Sequence, residues 1–340
     1  MSTTSSDALL IAYLTKVLAQ INFYFGMFIF TFGIVGNILN ILILSQRPLR
    51  TNSCAIIFFG SSTAGIIAIV SGLVSRVLSG VTTDLSATVS WICKVRAFIL
   101  LASRAATFWL IMFASVDRWL LSSMNALRRQ MSSMKNSLRG IGIITIILTI
   151  IHSQIFYCYG TNLAGTPLKC YTKNISCRLM NDLTFAIITI LVPLIFIILF
   201  GLMTISNMRL ARSRVEPAAV TMANVTIQNI STRNRSKKID QRLFRMLFVQ
   251  SVCLGLFTLP LAIQRLYATL TINIPKSVLQ TTIENFIYQV ALINTFLAVG
   301  MPFYVNIFAG GSVYRKGLFS LKEQIVRKLI CTEHLPQNTQ

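Results

Sequence analysis

Seven apolar runs recur along this 340-residue chain, each near the length that the hydrocarbon of a bilayer demands of a helix. About 20 residues cross ~30 Å of lipid interior, and a spanning segment must satisfy its own backbone hydrogen bonds there. We place the spans at about 21–45, 54–79, 92–118, 139–159, 182–206, 243–270 and 283–308. The fold class expected is therefore an all-α membrane protein, a seven-transmembrane helix bundle. Apolar residues make up 54% of the chain and charged ones 12%, a charged share about half that of a soluble domain. Residues 1–20 form an N-terminal tail, 21–308 the membrane domain, and 309–340 a tail whose stretch Val313–Leu329 alternates apolar and basic residues, as a short amphipathic C-terminal helix does. Pro193 and Pro260 fall inside spans five and six, where each removes a helix hydrogen bond.

The net charge of +22 raises nucleic acid as a partner. The distribution argues against it, because the basic residues sit in loops between apolar runs and no zinc-ligand spacing or basic-aromatic motif accompanies them. Arg47, Arg50, Arg128, Arg129, Lys135, Arg139, Arg209 and Arg212 lie on one side of the threading, with Arg233 to Arg245 and the basic tail. Only Lys16, Lys169, Lys173, Arg178 and Lys276 lie on the other. Positive loops stay cytoplasmic, so the N-terminus is expected outside and the C-terminus inside. The sequon Asn174-Ile175-Ser176 then faces outward as a glycosylation acceptor. The first apolar run is too long for the core of a cleavable signal and is expected to act as an uncleaved anchor.

A set of residues in fixed order narrows the class. Gly36-Asn37 lies in span one, Trp91-Ile92-Cys93 opens span three and Asp117-Arg118-Trp119 closes it. Pro193 follows in span five, Phe257-Thr258-Leu259-Pro260 in span six and Met301-Pro302-Phe303-Tyr304 in span seven. Over almost its full length the chain resembles the rhodopsin-like family of G-protein-coupled receptors. Arg50-Thr51-Asn52-Ser53-Cys54 is further similar to invertebrate neuropeptide receptors of the FMRFamide type. The resemblance implies a plasma-membrane receptor in which Asn37 and Pro193 are structural. It also implies that Asp117, Arg118, Asp240, Pro260 and Pro302 serve activation and G-protein coupling, with Asp240 bridging to Arg118 at rest. It implies a disulfide from Cys93 to the 159–181 loop, to Cys170 or alternatively Cys177, and palmitoylation of Cys331. The chain departs from the family at Gly65 (an Asp there), Thr258 (a Trp), Met301 (an Asn) and Val305 (a Tyr, whose place Tyr304 or Tyr314 would take).

The ligand end is read from charge. Arg76, Arg96, Arg104 and Arg265 lie in the outer halves of spans two, three and six, and Arg104 is about three turns deep, too far in to snorkel. Intramembrane arginines face a cavity or an acid, and Asp84, Asp182 and Glu284 are the nearby acids. With Leu100 and Glu284, these four arginines form the expected pocket, suited to a peptide or an acidic small molecule. The alternative is that backbone carbonyls or an acid hold Arg104. Leu100 stands where amine receptors carry an Asp, and span seven has no lysine for a retinal Schiff base. No nucleophile–base pair, metal set or cofactor motif is visible. The partners expected are an extracellular ligand, a heterotrimeric G protein and lipid. A secondary transporter or channel is the alternative class, against which the absence of an internal repeat counts.

Overall fold

A computed structural model describes residues 5–78, 85–163, 168–215, 227–309 and 314–323, with side chains described for all of these except 47, 48, 78, 85, 211–215, 227–244 and 246. Seven helices among them are long and apolar enough to cross a membrane: Ser5–Leu44, Ser53–Val77, Ser90–Ser122, Met134–Cys158, Ile175–Leu210, Leu247–Leu270 and Val278–Gly300, here spans one to seven. The chain is an all-α, multi-pass membrane protein.

The ends of these helices differ from the sequence expectation. The stretch expected as a tail is helical from Ser5 and, with a π-helical turn at Ile21–Phe25, forms the first part of span one. Span five starts at Ile175, inside the stretch expected as a loop, and its neighbour on the far side reaches back to Ile227 as one helix to Leu270. Hydropathy marks where lipid begins, whereas a helix continues until a cap stops it, and Asn174 stands at the N-cap of span five. Of the expected amphipathic helix, 314–323 is helical and the rest lies outside the described residues.

Span three is the axis of the bundle, with 67% of its most apolar window buried against 22% for span four. Span four shows why: Ile143, Ile146, Ile147 and Ile150 recur at helical spacing and stay exposed, an apolar stripe suited to lipid. Pro193 lacks an N–H, and the π-helical stretch Thr184–Leu191 immediately precedes it, absorbing the lost bond in wider turns. Pro260 sits inside the span-six helix. Pro302 opens the helix Pro302–Ala309 just after span seven, the first-turn position where its missing N–H costs nothing.

Polar contacts fix how the spans meet. Asn37 Nδ2 donates to the carbonyls of Gly33 (2.8 Å) and Val299 (3.2 Å), joining spans one and seven. A Cβ at Gly65 would sit 3.2 Å from both Asn37 Oδ1 and a Val299 methyl, so the position where the family has an Asp is already crowded. Asn306 Nδ2 donates to Asn40 Oδ1 (3.1 Å), and Asn40 Nδ2 donates to Ser62 Oγ (2.6 Å), a buried ladder from the helix after span seven through span one to span two. Tyr304 turns outward, stacking on Phe32 at 3.8 Å and donating to its carbonyl. Tyr314, by contrast, is buried beside Phe303.

Spans one and seven approach backbone to backbone. A Cβ at Gly300 would stand 2.9 Å from Gly33 Cα, where no flexible side chain can give way. Gly300→Val should force the helices apart at a cost of about 1–3 kcal/mol, the usual range for overpacking. Gly142→Val, at a site with nothing within 4 Å, should leave the thermal midpoint of the purified protein nearly unchanged. Equal melting of the two variants would refute the tight crossing.

Candidate functional site

Residues four apart on a helix share a face, and two such stripes meet at the end of the bundle that carries the disulfides. Arg96, Leu100 and Arg104 form one along span three, and Tyr288, Leu292 and Phe296 form the other along span seven. Together with Arg76 of span two and Arg265 of span six they line a cavity of about 50 Å³. Leu168, Cys170 and Tyr171 contribute a wall from the loop before span five. The structure therefore brings together Arg76, Arg96, Leu100, Arg104 and Arg265, as the charge reading expected.

Glu284 is a correction. It lies apart from this cavity, beside a depression between spans six and seven, and accepts from Lys276 Nζ (2.5 Å), Tyr267 OH (3.1 Å) and Gln280 Nε2 (3.2 Å). A carboxylate that can reach water and a lysine at the helix end has no reason to turn inward toward lipid-depth arginines.

The disulfides place the loop wall. Cys93 pairs with Cys170, and Cys177, the alternative expected for Cys93, pairs with Cys158. The first bond ties the start of span three to the loop, and the second ties the ends of spans four and five. Between them Tyr159–Gly160 and Tyr171–Thr172 form a two-stranded antiparallel ladder. Burial holds the phenols of Tyr159 and Tyr171 above their ordinary pKa, so both remain neutral and add no negative charge to the cavity. Cys54 and Cys253, among the described residues, are not in disulfides. Cys331 lies outside the described residues.

The four arginines differ in what holds them. Arg76 donates to Asn22 Oδ1 (3.0 Å) and Gln289 Oε1 (2.8 Å). Arg96 donates to the Ser71 carbonyl (2.9 Å) and Ser86 Oγ (2.7 Å). Arg265 lies 3.4 Å from Asp182 Oδ1, with Phe185 and Tyr288 rings beside its guanidinium. Asp182 is fully buried, accepts from Thr269 Oγ1 at 2.7 Å, and is 3.9 Å from Arg178. Arg104 is 1% exposed, yet none of its three guanidinium nitrogens has a hydrogen-bond partner among the described residues. Its guanidinium carbon lies 4.5 Å from the centre of the Phe296 ring, a cation–π contact. Among the described residues, neither the acid nor the backbone carbonyls expected as the alternative for Arg104 bond to it.

Sequence reasoning noted Asp182 as a nearby acid without assigning it to Arg265, and it missed Tyr171, Tyr288 and Phe296. A buried acid in a span calls for a buried cation, which was the available signal for Asp182. Nothing in the sequence brings out the aromatic walls, because apolar spacing alone does not separate a cavity lining from a lipid face. A larger apolar groove of about 820 Å³ between spans two, three and four includes exposed Phe59 and Ile67, so it opens toward lipid rather than the bundle interior.

At the opposite end, Asp117 and Arg118 are both buried and paired at 2.7 Å. Asp117 also accepts from Ser53 Oγ (2.9 Å) and Ser132 Oγ (2.7 Å), while Arg118 Nη2 donates to Asn52 Oδ1 (3.1 Å). Nearby, Arg245 makes two bonds to the Ala309 carbonyl, linking span six to the helix after span seven. The side chain of Asp240 lies outside the described residues, and with it the expected bridge to Arg118. Asn174 is exposed at the disulfide end. No protein-family model and no curated protein matches the chain.

Proposed function

We propose that the chain is a rhodopsin-like receptor of the plasma membrane that binds an extracellular ligand and activates heterotrimeric G proteins through outward movement of span six. One observation carries this reading. Span three runs from a disulfide-tethered, arginine-lined cavity at one end to the buried Asp117-Arg118 pair at the other, so a single helix connects the two. Basic loops flank the Asp117-Arg118 end and the disulfides lie at the other, as a cytoplasmic and an oxidising side require. The exposed sequon at Asn174 shares the disulfide side.

In this mechanism Asp117 keeps Arg118 folded back, with Ser53 and Ser132 holding the carboxylate in place. A ligand that favours the open bundle shifts the population toward a state in which Arg118 meets the G protein. Asp117→Asn retains the shape but removes the charge that holds the guanidinium. It should raise ligand-independent nucleotide exchange on added G protein several-fold, measured with purified receptor in lipid nanodiscs. Arg118→Ala should abolish exchange. Ion or solute flux through reconstituted vesicles, with no exchange from either the parent chain or the Asp117 variant, would replace the receptor by a transporter.

A further inference from the structure

We propose that the cavity around Arg104 takes the carboxylate of a small, monovalent organic acid with a short apolar chain, an assignment that rests on the receptor reading only for the side from which the acid enters. A guanidinium in a membrane-embedded interior without a hydrogen-bonding partner is an arrangement that structure alone does not explain. Arg265 has Asp182, and Arg76 and Arg96 have oxygen acceptors, but among the described residues Arg104 has no hydrogen-bond partner and lies against the face of Phe296. Arg104 lines the cavity with its guanidinium nitrogens unbonded, and a planar fork of that kind matches the two oxygens of a carboxylate.

Three features select the class. Arg104 lacks the acceptors that Arg76, Arg96 and Arg265 have, and one carboxylate brings two acceptor oxygens to its fork. The volume of about 50 Å³ compares with roughly 10–15 Å³ for a single water in a cavity, so the acid has few heavy atoms beyond the carboxylate. Leu100, Leu101, Leu292 and Phe296 wall the remainder, which suits an alkyl chain and opposes a hydrated ion. A peptide is too large for the space beneath Tyr171. The bound acid would link Arg104 of span three to the span-six side of the cavity, where Arg265 sits, and so relieve a repulsion between like charges.

The test reads binding and leaves G protein out, so it fails independently of the receptor reading. The full chain, purified in lipid nanodiscs in sulfate buffer, is melted with propionate or butyrate and with the matched neutral amides. Expected is a saturable rise of several degrees with the acids and none with the amides. Arg104→Met should melt higher than the parent chain without ligand, because a buried unpaired charge has been removed, and should lose the response to acid. Arg104→Lys keeps the charge without the fork, and its response should need at least ten-fold more butyrate. If Arg104→Met cannot be produced, the lysine variant decides alone. Chloride or inorganic phosphate reproducing the butyrate shift would overturn the carboxylate assignment. So would an unchanged response in Arg104→Met or Arg104→Lys, a melting point for Arg104→Met below the parent's, or no response of the parent chain to either acid.

Discussion

Asp182→Ala should destabilise the protein by about 3–5 kcal/mol, the cost of leaving a buried guanidinium without its counter-charge. Asp182 has no exposed surface, and Arg265 is 4% exposed, so water cannot replace the carboxylate. Thr269 also loses its acceptor. Against the ~5–15 kcal/mol that typically separates folded from unfolded states, one substitution removes a large share. The pair itself need not stabilise the fold, because two charges have been taken out of water to make it. Hence Asp182→Leu combined with Arg265→Met should melt well above Asp182→Ala and recover much of the loss. A double variant as unstable as the single one would mean that Asp182 acts through something other than Arg265.

Removal of the Cys93–Cys170 disulfide carries the second large effect. The bond closes a sequence separation of 77 residues, and the Cys158–Cys177 bond closes 19. Chain-entropy arguments give about 4–5 kcal/mol for the first and about 3 kcal/mol for the second. Both figures are upper values here, since spans inserted in lipid already restrict the unfolded chain. The difference in function should be larger than the difference in stability. Cys93→Ala frees Cys170 and its neighbour Tyr171, which form the loop wall of the Arg104 cavity, so butyrate should no longer shift the melting point. Cys158→Ala loosens the junction of spans four and five but leaves that wall tethered to span three, so the acid response should persist. Equal loss of the response in both variants would count against the wall's role.

Much of this organisation was legible in the residues. Apolar run length against lipid thickness announced seven spans, and the depth of Arg104 announced a polar interior, since a charge at that depth must face something other than lipid. What length could not supply was where each helix stops. Span five begins just after Asn174, well before lipid composition would start it, and span one is helical from Ser5 onward. Caps and tertiary contacts set those limits, and hydropathy is blind to them. Between spans five and six the helices likewise run past the apolar segments, to Val215 and from Ile227.

Pairing was partly within reach: Cys93 meets Cys170, the partner the family resemblance favoured, whereas the second bond, between Cys158 and Cys177, had no counterpart in that expectation. Among charges, sequence located four arginines and three acids near one end of the bundle but could not distribute them. The fold sends Glu284 to Lys276 at the rim and Asp182 to Arg265 in the interior, and leaves Arg104 against a ring. Composition and periodicity determined that this chain crosses a membrane as a helical bundle with buried cations, because those follow from local free energies of transfer. Which cation lacks a partner depends on angles between helices distant in sequence, and that only the tertiary structure decided.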